Sequence, residues 1–252
     1  MLLTIDVGNT QTLIGLFDGQ ELADHWRIAT EPDRTSDELA LMIQQFLGFH
    51  GFSFEASGVA ISSVVPRVTA SLRDMTDRYF GFPALVLEPG VRTGVPILYD
   101  NPKEVGADRI ANAVAAYELY GGPTIVVDFG TATTIEAVST AGEYLGGAIF
   151  PGVEISMDAL FGRTAGLRRV ELVPPKNVIG KSTVESIQSG SVYGFAGQVD
   201  ALIDRFLAEI GPSTVIATGG LSAQLEPFCR TVQHVEPWLT LHGLRIVFER
   251  NQ

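Results

Sequence analysis

Two α/β domains with mixed sheets and a ligand cleft between them are what this sequence predicts. Two observations carry the prediction. One pattern occurs twice, as Thr4-Ile5-Asp6-Val7-Gly8-Asn9-Thr10 and as Val126-Val127-Asp128-Phe129-Gly130-Thr131-Ala132-Thr133-Thr134. In each copy, apolar strand residues run into Asp-x-Gly and then into small hydroxyl or amide residues. A second β-rich stretch follows, ending near Gly19 or Gly142. The aspartates are 122 positions apart (128 minus 6), close to half of the 252-residue chain, which is the spacing a duplicated domain produces. The second observation is that each half reads as three strands followed by alternating helices and strands.

The elements follow in order. Residues 2–7 and 12–17 read as strands around the Gly8–Gln11 turn, with a third strand over Trp26 to Thr30. Thr35-Ser36-Asp37-Glu38 sets a hydroxyl three residues before a carboxylate, a capping box that opens a helix to Leu47, stopped by Gly48. A buried strand over Gly58 to Val64, a helix over Pro66 to Tyr79 and a strand over 84–88 come next. Residues 89–106 read as loop, and Ala107 to Tyr120 as helix. In the second half, Thr124 to Asp128, Thr133 to Val138 and Glu143 to Ile149 read as strands. Phe195, Val199, Leu202, Ile203, Phe206 and Ile210 repeat at the helical period. Val215 to Thr218 is a strand ending at Gly219-Gly220, and a short helix and a last strand pair are expected to close the chain. The domain boundary is expected at 119–123, giving halves of 1–120 and 121–252.

Composition narrows the function. A net charge of −12 argues against nucleic acid as the main partner, because backbone phosphates are bound by a surplus of Lys and Arg. A small polyanion is still within reach, through backbone N–H groups and a metal ion. The single cysteine, Cys229, forbids an internal disulfide and suits a reducing compartment. No apolar stretch is long enough to span a membrane, and the chain opens on a strand without a leader pattern, so a cytoplasmic protein is expected.

The repeated loops suit a triphosphate. Glycine two positions after Asp lets backbone approach an anion without a β-carbon in the way. Asn9, Thr10, Thr131 and Thr133 add short side-chain donors. Asp6 and Asp128 would meet phosphate oxygens only with repulsion, so their sensible role is to hold cations or metal-bound water. Either loop alone is equally an ordinary hairpin turn; the pair in equivalent places points to a nucleotide-phosphate site. Gly106-Ala107-Asp108-Arg109 opens a helix, whose positive end favours a carboxylate at Asp108. Phosphoryl transfer needs the attacking hydroxyl oriented and its proton accepted late, which a carboxylate can do. Arg109 offers a two-pronged grip on a substrate carboxylate. Helix capping with a surface ion pair is the plainer reading of the same residues.

Gly180-Lys181-Ser182-Thr183 is not a P-loop, because the position five before Gly180 is Pro175 and no buried strand leads in. Ser182 and Glu185 fit a capping box instead, which leaves Thr183 at a helix N-terminus, free to donate to a ligand. The clusters at 146–152 and 218–220 allow either nucleotide approach or tight packing. Gly190, Gly194 and Gly197 suggest close helix packing. The histidines, His25, His50, His234 and His242, have no metal-ligand spacing, and His242 reads as a strand or turn residue.

Taken as an ordered set, these motifs resemble the type III pantothenate kinases of the acetate and sugar kinase/Hsp70/actin superfamily. The matching residues are Asp6-x-Gly8-Asn9-Thr10, Tyr99-x-Asn101-Pro102, Gly106-Ala107-Asp108-Arg109 and Asp128-Phe129-Gly130-Thr131-Ala132-Thr133. Gly146-Gly147-x-Ile149-x-Pro151-Gly152, Gly180-x-Ser182-Thr183 and Gln188-Ser189-Gly190 complete the set. The resemblance implies duplicated ribonuclease-H-like (actin-like ATPase) domains, ATP-dependent phosphorylation of pantothenate and a homodimer. By the family pattern Asp108 is the base, and Asp6, Val7, Gly8, Asn9, Thr10, Gln11, Thr12, Leu13 and Thr131 bind ATP. Tyr99, Gly106, Ala107, Asp108, Arg109 and Thr183 hold pantothenate, with Thr183 able to serve a partner's site. Asp128 binds a monovalent cation, K⁺ or NH₄⁺, and Mg²⁺ accompanies the nucleotide. Arg168-Arg169 follows Leu167 where many members have Leu-Pro, a departure outside the phosphate motifs. The competing readings are a kinase of another small carboxylate, or a non-catalytic nucleotide-binding regulator on the same scaffold.

Overall fold

The computed structural model describes residues 1–164 and 166–252, which divide into two compact units: residues 1–115 with 239–252, and residues 116–238. The first unit opens with the meander β1 (Leu2–Val7), β2 (Gln11–Asp18) and β3 (Glu21–Ala29). Helix α1 (Ser36–Phe49), strand β4 (Gly58–Ser63), helix α2 (Pro66–Tyr79) and the short strand β5 (Leu85–Val86) follow, then a 3₁₀ turn at Pro102–Glu104 and helix α3 (Ala107–Tyr120). The sheet order is β3-β2-β1-β4-β5, with β1 antiparallel to β2 and parallel to β4. Strand β1 is central, and its first four residues are all buried. Strand β3 alternates exposed and half-buried residues, as an edge strand with one solvated face does.

Helix α1 begins where the capping box places it. The Thr35 hydroxyl accepts from the Glu38 N–H at 3.3 Å, and the Thr35 N–H donates to the Glu38 carboxylate at 2.8 Å. These bonds to Thr35 hold the Glu38 carboxyl below its ordinary pKa. The helix buries Leu39, Ala40, Ile43 and Leu47, residues of one face, against the sheet core of Leu3, Ile5, Ile14 and Leu16. Full burial of each such aliphatic side chain stabilises the fold by about 1.5–3 kcal/mol relative to exposure.

The second unit repeats the plan. Strands β6 (Thr124–Phe129), β7 (Ala132–Val138) and β8 (Tyr144–Pro151) form a meander, and helix α4 (Val153–Arg163) follows. Helix α5 (Thr183–Ser189) continues through a π-helical turn at Gly190–Gly194 into α6 (Phe195–Ile210). Strand β9 (Thr214–Thr218), helix α7 (Ser222–Leu225), strand β10 (His234–Val235) and helix α8 (Leu239–Glu249) complete the chain. Its sheet, read as β8-β7-β6-β9-β10, has the same order and the same parallel and antiparallel pairings as the first. The duplication inferred from two short motifs is therefore a duplication of topology.

Four expectations need correction. The third strand starts at Glu21 rather than Trp26. Residues 153–163, unassigned in the sequence, form α4. The chain closes on a helix, not a strand pair, so His242 is helical and meets the Phe17 ring edge-on at 5.2 Å. Helix α8 is buried along most of its length, from Leu239 to Val247 with Arg245 included, and its alternating Leu239-Thr240-Leu241-His242 start reads like a strand. Finally, among the described residues nothing lies within 4 Å of a β-carbon built on Gly190, Gly194 or Gly197, so the close helix packing expected there is not made among them.

Helix α8 belongs to the first unit and crosses α3 at backbone contact. A β-carbon on Gly243 would overlap the Ala111 carbonyl, and the Thr240 hydroxyl donates to Asn112 Oδ1 at 2.7 Å.

Candidate active site

The first Asp-x-Gly loop is the β1–β2 turn. The Gly8 N–H donates to the Gln11 carbonyl at 3.0 Å and closes it. Thr30, just past β3, holds it from behind: its hydroxyl donates to the Gly8 carbonyl at 2.8 Å and meets the Thr12 hydroxyl at 2.9 Å. The side chains of Val7 and Thr12 are buried, whereas Asn9, Thr10 and Gln11 are exposed at the tip. Val7 and Thr12 thus offer a ligand only their backbone. Asp6 is fixed by a residue the sequence reading did not single out. The Ser62 hydroxyl, fully buried on β4, donates to Asp6 Oδ1 at 2.5 Å. The signal was a pair of serines, Ser62-Ser63, in an otherwise apolar strand.

The second loop is the β6–β7 turn. Thr131 is exposed at its tip, and the Gly152 N–H donates to the Thr131 carbonyl at 3.1 Å. One glycine from each of the two glycine clusters packs around this loop. Gly152 lies flat on the carbonyls of Gly130 and Thr131, and Gly219 lies against the Asp128 carboxylate. Asp128 pairs in register with Thr134 on β7, so both side chains rise from one face of the sheet. The Thr134 hydroxyl is buried without a hydrogen-bond partner. Two positions along β7, Glu136 is fully buried on the same face and accepts a hydrogen bond from the Tyr144 hydroxyl.

Asp108 sits in the first turn of α3. Its carboxylate folds back over Gly106, where a β-carbon would overlap it, and accepts from the Arg109 N–H at 2.9 Å. Arg109 itself is only 7% exposed, which is not the exposed ion pair of the plainer reading. Tyr99 is half-buried on the approach, and the Asn101 carboxamide accepts from the Lys103 N–H at 3.3 Å to cap the 3₁₀ turn before Val105. Thr183 is the first residue of α5 and is exposed. Ser182 caps that helix through the Glu185 N–H at 3.2 Å, but Glu185 returns its carboxylate to the Lys181 N–H rather than to Ser182, so the capping box is only half made.

Hard oxygen donors fit the cations that the motifs imply. Asp128 and the unpartnered Thr134 hydroxyl suit a monovalent ion or metal-bound water. Among the described residues no three His, Cys, Asp or Glu gather as a metal cage. Cys229 is no nucleophile: burial, then Asp200 and Glu226, push its thiol up to about 12. No described helix is long and apolar enough to cross a membrane.

Comparison with known proteins agrees with this geometry. A family model described as type III pantothenate kinase matches residues 2–205. A type III pantothenate kinase of Streptomyces avermitilis is 58% identical over 261 residues, spanning 100% of this chain and 98% of that protein. Among solved structures, the inorganic polyphosphate/ATP-glucomannokinase of Arthrobacter superposes with a TM-score of 0.55 at 15% identity, over 100% of this chain and 99% of its own. Component A of (R)-2-hydroxyglutaryl-CoA dehydratase from Acidaminococcus fermentans gives 0.59 at 14%, over 100% and 99%. At such identity these two share the fold alone, two mixed-sheet domains of the ribonuclease-H-like type. With a family model over most of its length and close relatives along all of it, this chain belongs to the type III pantothenate kinases, within the acetate and sugar kinase/Hsp70/actin superfamily.

Proposed function

We propose that in this chain the ATP-dependent phosphorylation of pantothenate to 4′-phosphopantothenate runs through Asp108. The observation that carries the assignment is its carboxylate, held over Gly106 at the first turn of α3 with Arg109 beside it. The carboxylate orients the primary hydroxyl of pantothenate toward the γ-phosphorus. As the new P–O bond forms and the bond to ADP breaks, it accepts the hydroxyl proton late. Arg109 pairs with the acceptor's carboxylate, and its burial strengthens that pairing. Tyr99, Gly106, Ala107 and Thr183 complete the acceptor contacts.

The triphosphate is held by backbone N–H groups of the 6–13 loop, by the side chains at its exposed tip, and by Thr131. Asp6, fixed by Ser62, would hold metal-bound water of the nucleotide, and Asp128 with Thr134 would hold K⁺ or NH₄⁺. Mg²⁺ supplies charge neutralisation on the transferring phosphate. An ATP-dependent reaction and one buried, reduced cysteine suit the cytoplasm.

The same reading includes a homodimer. Gly190, Gly194 and Gly197 recur at helical spacing with open space beside them, which suits close approach by a second helix. Exposed Ile155, Leu160, Val178, Ile179 and Val184 supply apolar surface in the same unit. Thr183, next to Val184, then falls near the partner's site.

The test is ADP release from pantothenate and Mg-ATP, measured in potassium and again in sodium buffer. Pantothenate-dependent turnover that rises with potassium is expected. No such turnover in either buffer would move the assignment to another acceptor.

A further inference from the structure

Between β5 and α3 the chain runs 20 residues, from 87 to 106, with one 3₁₀ turn as its only regular structure. This segment carries Tyr99 and delivers Gly106 and Asp108 to their places. It does not lie flat on the unit. A pocket of about 350 Å³ lies within its curve, lined by Val91, Thr93, Ile97 and Val105 of the segment and closed on one side by Ala107 and Ile110 of α3. Ala107 and Ile110, three apart, share one face of the helix, while Asp108 and Arg109 point away from it. The pocket thus meets α3 at its first turn, the turn that carries Asp108.

The two residues that follow α8 are bonded to this segment. Asn251 makes a reciprocal pair with the backbone of Arg92: its Oδ1 accepts from the Arg92 N–H at 3.1 Å, and its Nδ2 donates to the Arg92 carbonyl at 2.9 Å. The same Nδ2 donates to the Val247 carbonyl at 2.7 Å, so one carboxamide ties the last turn of α8 to the segment. Arg250 Nη1 donates to the Thr93 carbonyl. Its guanidinium lies against Gly94, where a β-carbon would come within 2.5 Å of Nη1 and where φ is +73°. That position therefore needs glycine on two counts.

The other end of α8 is locked to the opposite wall. Gly243 abuts the Ala111 carbonyl of α3, and Thr240 bonds Asn112. Eight residues at a helical rise of 1.5 Å, about 12 Å, separate Gly243 from Asn251. Helix α8 is thus a spacer that grips α3 at one end and the 92–94 backbone at the other. We infer that Arg250 and Asn251 are positioning residues for the acceptor, setting Tyr99 and the Gly106–Arg109 turn through the segment they hold. This rests on the assignment of Tyr99 and residues 106–109 to pantothenate.

The experiment is steady-state kinetics with each substrate varied in turn, on the wild type, Asn251→Ala, Asn251→Asp and Arg250→Ala. Thr231→Ala serves as a control of comparable kind in the second unit, where Thr231 donates to Asp200. Asn251→Ala is expected to raise KM for pantothenate about tenfold while KM for ATP stays within about twofold. Asn251→Asp keeps the acceptor for Arg92 but loses both donations, and should fall between. Melting temperatures check that each variant is folded; if Asn251→Ala is not, the Asp variant and Arg250→Ala decide. A pantothenate KM within about twofold of wild type in the folded variants overturns the inference. So does a change in both KM values matched by Thr231→Ala. A wild type that does not use pantothenate overturns the underlying acceptor assignment, a distinct result.

Discussion

The Asp128 carboxylate rests against the α-carbon of Gly219, closely enough that any β-carbon at 219 would overlap Oδ1. The same atom would stand 2.7 Å from the Phe129 backbone, and Gly219 has φ +91°. Gly219→Ala therefore does two separable things. The backbone conformation alone costs about 1–3 kcal/mol, readable by denaturant unfolding. Displacing Asp128 should lower kcat about tenfold or more at saturating potassium. Asp128→Ala should abolish potassium activation with unfolding close to wild type. Potassium dependence that persists in Asp128→Ala places the ion elsewhere.

Ser62 is a buried anchor of Asp6. Its hydroxyl is fully buried and its bond to Asp6 spans two parallel strands, 2.5 Å from donor to acceptor. Hydrogen bonds to charged groups contribute about 1.5–3 kcal/mol. Ser62→Ala should lose a stability of that order and raise KM for ATP, with KM for pantothenate little changed, because Asp6 then lacks this buried hydrogen bond to its carboxylate. An ATP KM indistinguishable from wild type would show that Asp6 needs no such anchor.

The sequence made one kind of information legible and hid another. Local patterns survived: the Asp-x-Gly turns, the Thr35–Glu38 capping box and the Pro66 helix start all stand where they were read. Pairings between distant residues did not. Ser62 lies 56 positions from Asp6, and nothing in its neighbourhood says which carboxylate it serves. Helix α8 failed for a different reason. Its Leu-Thr-Leu-His opening alternates as a strand would, which masks the helical spacing of His242, Arg245 and Glu249 further on. The glycines of the 190–197 stretch failed in reverse. Their spacing promised packing, yet among the described residues nothing stands within 4 Å of a β-carbon placed there.

Asp108 is tested by the smallest possible change. Asp108→Asn keeps the shape that fits over Gly106 and can still accept the Arg109 N–H through its carbonyl oxygen, so the turn should stay folded. It removes the ability to accept a proton and weakens the orientation of the hydroxyl. General-base contributions of this kind are about 10²–10⁴ in rate. The expected result is a kcat lower by that factor with ATP affinity unchanged in a direct binding titration. Turnover equal to wild type would assign the base elsewhere.

Cys229 and Tyr120 together set the alkaline limit of the second unit. Burial, then Asp200 and Glu226, raise the thiol from 9.0 to about 12, and burial with the Glu236 hydrogen bond raises the Tyr120 phenol from 10.0 to about 12. Both groups are neutral when protonated, and folding favours that form. Their contribution is fully present below the unfolded pKa values and is lost as pH climbs through 9–12. The denaturation midpoint should therefore hold steady to about pH 9 and fall beyond it. The thiol gives an independent reading. At pH 8 a thiol-specific reagent should label the native protein slowly, because the buried group has almost no thiolate, and the denaturant-unfolded protein quickly. Rapid labelling of the folded protein at pH 8 would show that Cys229 is neither sealed nor shifted.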